Sequence, residues 1–170
     1  MTIRILVTSF LASGFSILQS TILSKLLPSN VVPDIAMIIL VVLAVRYGSI
    51  PGEISGFLVG LSIDAISLAP FGFHAFIFVL LGYLSGKVRS NLSFNPILVP
   101  VMIIALATLV KYISAVLLSF FFGLNLGLMR YFSLRTVWEL LANIVLAPLI
   151  FFALFSIYDR VDRGKVNTIE

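Results

Sequence analysis

Apolar residues fill this chain in long blocks separated by short polar or turn-forming segments, without the strict alternation of half-buried strands. A bilayer core calls for about 20 apolar residues per helix. Six blocks fit that scale, at about 5–23, 33–47, 51–68, 72–86, 96–122 and 136–158, leaving 159–170 as a polar tail. Blocks two to four are short, so a five-span reading with the second and third partly re-entrant stays open. Pro33 suits a first helical position, and "APFG" (Ala69 to Gly72) makes a tight turn. The pattern predicts an all-α integral membrane protein, a bundle of about six transmembrane helices forming one domain over 1–170.

Composition strengthens that reading. Of 170 residues, 61% are hydrophobic and 11% charged, with a mean hydropathy of +1.19. Soluble domains carry about 45–50% apolar and about 25% charged residues. The chain has no cysteine and one histidine, which argues against disulfides and against thiolate or histidine-rich metal sites. No cofactor is expected. The formal charge is +4, but no basic run is long enough to follow a phosphate backbone, so nucleic acid is not an expected partner. The first block is too long for a cleavable leader and reads as a span.

Lysine and arginine set the orientation of a membrane protein. With an inner N-terminus, Arg4, Arg46, Lys87, Arg89, Arg160, Arg163 and Lys165 fall inside, and Lys25, Arg130 and Arg135 outside. The split favours a multi-pass membrane protein with both termini in the cytoplasm. Trp138, Tyr131 and Phe132 suit an outer aromatic belt, Tyr47 and Tyr158 an inner one.

In "GEISGFLVGLSID", Gly52, Gly56, Gly60 and Asp64 recur every fourth residue and share one helical stripe. Such small-residue ridges let another backbone approach closely in lipid. Ser13 and Ser16 belong to a complementary small stripe in the first span, beside Gln19. Either stripe suits internal packing or a partner's helix, and the glycines suit a homodimer as well as a heteromer.

Charges inside spans are costly and usually face a partner or cavity. Asp64 and Lys111 fall at similar depths if both helices run outward, so an ion pair between them is one expectation. The other is that Lys111 snorkels outward while Asp64 caps a neighbouring helix. Arg135, Glu139 and Asn143 share a face of the last span, where Pro148 should kink the helix and release a carbonyl. A polar seam between helices explains that face better than a ligand site. His74 opens the fourth span near the outer surface. Together Asp64, Lys111, Glu139, Asn143 and His74 form a candidate polar cluster. Asp34 and Glu53 lie in first turns and read as caps; "VPD" (Val32 to Asp34) is also a candidate recognition point.

The stretch from "VPD" through "GEISGFLVGLSIDAISLAPFGFHAF" to "GYLSG", together with "VWELLANIVLAPLIF", resembles the rod shape-determining MreD family. The likeness rests on Asp34, Gly56, Phe57, Gly60, Asp64, Ser67, Gly72, Ala75, Tyr83, Asn143 and Pro148, and more weakly on Gln19 near the end of the first span. Lys111 has no counterpart in the family pattern. The resemblance implies a fold like that of the substrate-binding S-components of energy-coupling-factor transporters. It implies a non-catalytic scaffold of the cell-elongation machinery, working in lateral peptidoglycan synthesis. Its partners would be an MreC-like single-span protein, a RodA-type glycosyltransferase with its transpeptidase, and indirectly the MreB filament.

Two other functions compete. A small-molecule-binding subunit of a vitamin-type transporter would line a pocket with Asp64, His74, Lys111 and Glu139. An intramembrane hydrolase would use Ser62 and His74, but that pair lacks the packed nucleophile–base arrangement such chemistry needs.

Overall fold

The computed structural model describes residues 12–14, 32–88, 97–124 and 133–166, the last six of these by backbone alone. Ser16, Gln19, Lys25, Arg89, Arg130, Tyr131 and Phe132 lie outside the described residues. Five helices are bounded: α1 (Ile35–Tyr47), α2 (Ser49–Ile66), α3 (Phe73–Lys87), α4 (Leu98–Phe121) and α5 (Leu134–Val166). Residues 12–14 are also helical, and no strand occurs among the described residues.

Three helices, Ser49–Ile66, Leu98–Phe121 and Leu134–Arg160, are long and apolar enough to cross a membrane; Ile35–Tyr47 and Phe73–Lys87 are apolar but shorter. Helix α1 occupies the centre. Ten consecutive residues, Ala36 to Val45, are buried, as expected for a helix apolar on every side. Around it, α4 and α5 turn large residues outward, among them Leu106, Ile113, Leu117, Val145, Leu149 and Phe152. In a bilayer these face lipid, which is as apolar as the side chains.

The boundaries refine the expected spans by physical detail. Gly48 takes φ +100° and separates α1 from α2, a conformation that favours glycine. Helix α2 therefore starts at Ser49, two residues before Pro51, which sits within the first turn where proline is tolerated. Glu53 consequently falls beyond that turn, and α2 has no side-chain cap, which corrects the capping role expected of Glu53. Helix α5 continues through the expected start of the tail at 159 to Val166, with Pro148 inside it.

The glycine ridge has an intramolecular partner. A Cβ on Gly52 would lie 2.5 Å from the Gly82 carbonyl oxygen, and Cβ atoms on Gly56 and Gly60 would strike the backbones of Phe78 and of His74–Ala75. Gly82 and Gly86 on α3 press back against Gly52 and Ser49. The ridge thus packs α2 on α3, not on the first span and not on an outside helix. The first span meets α2 elsewhere: Ser13 donates to Ser62 Oγ at 3.1 Å.

At one end of the bundle, Arg46 bonds Asp159 and Tyr47 meets Tyr158 edge to face with centroids 5.3 Å apart. Tyr158 is buried, so this pair packs inside the bundle instead of forming the expected lipid-facing belt. The end of α1 and the late part of α5 meet on this side of the bundle.

Candidate functional site

The expected polar cluster resolves into two. The first closes the α2–α3 turn. Asp64 is buried near the end of α2 and accepts hydrogen bonds from the backbone N–H groups of Gly72 (2.9 Å), His74 (2.9 Å) and Ala75 (3.1 Å). The N–H of Phe73 goes to the Pro70 carbonyl, and that of Phe76 begins the helical ladder at Gly72. The orphan donors of the first turn of α3 are thereby matched. Gly72 permits the geometry with φ +97°. His74 Nδ1 adds a contact of 2.8 Å to Asp64 Oδ1. Ser67, at the end of α2, accepts from Ala69 N–H and steadies the same turn.

Asp64 is therefore a cap for the next helix. The alternative pairing with Lys111 is not what forms. Asp64→Asn replaces one acceptor oxygen by a donor facing backbone N–H groups. It should lower stability by about 2 kcal/mol or more. A thermal melt in detergent matching the parent would contradict that role.

The second cluster joins α1, α4 and α5. Lys111 Nζ donates to Asp34 Oδ2 at 2.5 Å and to Glu139 Oε1 at 2.7 Å. The Tyr112 hydroxyl donates to Glu139 Oε2 at 2.5 Å. Asp34 Oδ1 accepts from Met37 N–H at 2.9 Å, capping α1. The Asp34 N–H donates to Asn143 Oδ1 at 2.8 Å, and Asn143 Nδ2 donates to Thr108 Oγ1 at 3.3 Å. The Thr108 hydroxyl in turn donates to the Ile104 carbonyl at 2.8 Å. Asn143 is fully enclosed, and the Lys111, Asp34 and Glu139 side chains are 20%, 15% and 13% exposed.

Lys111 lies ten residues before the end of α4, roughly 15 Å along the axis. The start of α1 is thus held well inside the bundle, where an unmatched helix terminus would be costly. The aligned peptide dipoles of α1 favour the carboxylate at its N-terminus. Two carboxylates face one ammonium, and the Tyr112 hydroxyl supplies Glu139 with a further donor.

The sequence reading singled out Lys111, Glu139 and Asn143 for this place. It gave Asp34 as a cap and a recognition point, not as a member of this cluster, and missed Tyr112 and Thr108. Their signal was spacing: Thr108 lies three residues before Lys111 and four before Tyr112, one turn from each on α4. Among the described residues no three His, Asp or Glu side chains converge as a metal site would require.

Other motif residues fall apart from both clusters. Phe57 is exposed on α2. Tyr83 carries Lys87 Nζ 4.7 Å above its ring and accepts from Ser49 Oγ through its carbonyl. Ser13 contacts Ser62. Pro148 lies within α5, one residue past the buried Ala147.

No curated protein and no solved structure matches the chain. The family model described as rod shape-determining protein MreD matches residues 2–161. That match spans both polar clusters, the glycine packing of α2 on α3 and the whole apolar bundle, and it shows that the chain belongs to the MreD family of rod shape-determining proteins.

Proposed function

We propose that this protein is a non-catalytic membrane scaffold of the bacterial elongation machinery. In this reading it binds an MreC-like single-span protein and links it to the wall synthases, a RodA-type glycosyltransferase and its transpeptidase, with the MreB filament reached indirectly. It sits in the inner membrane as an S-component-like bundle of six spans with both termini in the cytoplasm. The family match over residues 2–161 carries the reading. Two features support it. The groups of both polar clusters bond each other across helices, which suits a rigid frame. The exterior of α4 and α5 is apolar, leaving lateral surface for lipid or for another protein's span.

The test is copurification. The intact chain, expressed with its MreC-like partner, should leave the membrane as a complex and restore rod shape to cells depleted of their own MreD. Purification alone, without shape rescue, would count against the scaffold. A vitamin-type ligand that raised the melting temperature would favour the transporter reading instead. Gly56→Leu does not serve as an interface variant, because that glycine already meets Phe78.

A further inference from the structure

We propose that the cytoplasmic half of α5 is a hinged arm, pivoting at Pro148 and latched to the end of α1 by Arg46 and Tyr47. The burial of α5 is uneven and low. Only 17% of its apolar window is buried inside the protein, against 39% for α2 and 33% for α4. Its outer half is fastened by Glu139 to Lys111 and Tyr112, and by Asn143 to the Asp34 N–H. Ala147 and Phe151 then bury against the core. Beyond them, Phe152, Ala153, Ile157 and Arg160 are exposed.

Arg46 and Tyr47, consecutive residues of α1, make polar and aromatic contacts to this second half, beside Leu154, Phe155 and Tyr158, which pack on the core. Arg46 bonds Asp159 and stands 5.2 Å from the Phe155 ring centroid. Tyr47 meets Tyr158 edge to face. Asp159 is 45% exposed, so this latch sits at the rim of the bundle.

The pivot lies between the two fastenings. Pro148 has no N–H to give the Ile144 carbonyl, and proline is the commonest origin of a sharp helix kink. A second softening follows it: Ser156 Oγ donates to the Phe152 carbonyl at 2.8 Å, a back-bond that competes with the ladder and bends helices. A helix held at both ends and weakened between them turns one half against the other when one hold is lost. The outer hold is a network shared by three helices; the inner one joins a partly exposed ion pair and ring contacts to the packing of Leu154, Phe155 and Tyr158 on the core. The inner half is the one that moves.

The chain has no cysteine, so spin labels can be placed freely. Ile50→Cys with Ile157→Cys reports the inner half, and Ile66→Cys with Leu141→Cys the outer half; all four positions are exposed. In lipid nanodiscs, Asp159→Asn should shift and broaden the inner distance. A 20° swing over the nine residues from Pro148 to Ile157 moves the label by roughly 5 Å. The outer distance should stay as in the parent. The charge exchange Arg46→Asp with Asp159→Arg should restore the narrow inner distribution, which also shows that the fold survives. Pro148→Ala in the Asp159→Asn background should suppress the shift. An unchanged inner distance in Asp159→Asn would overturn the proposal. So would an equal shift in Pro148→Ala, or outer and inner distances moving together as a rigid body.

Discussion

Gly56→Leu is expected to abolish the folded protein. The glycine stands where α2 and α3 cross, and a Cβ there would meet the carbonyl carbon and oxygen of Phe78 and the amide nitrogen of Val79. These are backbone atoms, so no rotamer change relieves the contact. Ordinary overpacking, which neighbouring side chains absorb in part, costs about 1–3 kcal/mol. Here one helix must move off the other, and the neighbouring contacts at Gly52, Gly60, Gly82 and Gly86 separate with it. The displaced α3 would also carry Gly72, His74 and Ala75 away from Asp64, unmatching the donors that Asp64 satisfies. Expression with a fluorescent tag and size-exclusion chromatography should show loss of the monodisperse species. Even Gly56→Ala should lower the melting temperature. Gly14→Ala is the control, because a methyl group there meets nothing within 4 Å. A monodisperse Gly56→Leu protein with the parent's melting temperature would show that the ridge is not the packing surface described.

The sequence carried the elements well and their partners poorly, for physical reasons. Hydropathy alone marks the helices, since lipid-facing and buried positions are both apolar. That same uniformity hides rotation: with lipid outside, an apolar pattern does not say which face of α2 looks inward. The glycine ridge was visible as a ridge. Its partner was not, because small residues also occur in the first span, and only Gly82 and Gly86 hinted at α3. Asp64 and Lys111 were matched by depth, yet equal depth leaves the azimuth free. Asp64 instead takes the nearest unmatched donors in the chain, eight to eleven residues on, across a turn too short to carry them elsewhere. That local option was legible in "DAISLAPFGFH", where an acid precedes a tight turn and a helix start. The Lys111 network was harder to read. It depends on α1 beginning deep in the bundle, and the run from Ile35 to Tyr47 looks like any short span.

Lys111→Met should be the most destabilising of the polar substitutions, and its neighbours should decide by how much. The lysine is the ammonium between Asp34 and Glu139, and all three side chains are mostly enclosed. Removing it leaves two carboxylates facing each other at the start of α1. Breaking a buried pair by removing one partner costs about 3–5 kcal/mol, whereas replacing the whole set by neutral groups is often close to neutral. The loss should therefore be reversible without restoring any positive charge. Adding Asp34→Asn and Glu139→Gln to Lys111→Met should recover most of the melting temperature. Asparagine can still cap α1 through its side-chain oxygen, and glutamine can still accept from Tyr112. Glu139→Gln alone should cost much less than Lys111→Met, since it leaves Lys111 and Asp34 as a balanced pair. The order of melting temperatures is thus the parent, then Glu139→Gln and the triple variant, with Lys111→Met lowest. If the triple variant melts with Lys111→Met, the loss comes from missing packing around the lysine stem, and the charge argument fails. If Lys111→Met melts with the parent, the network is not a holding point between α1, α4 and α5.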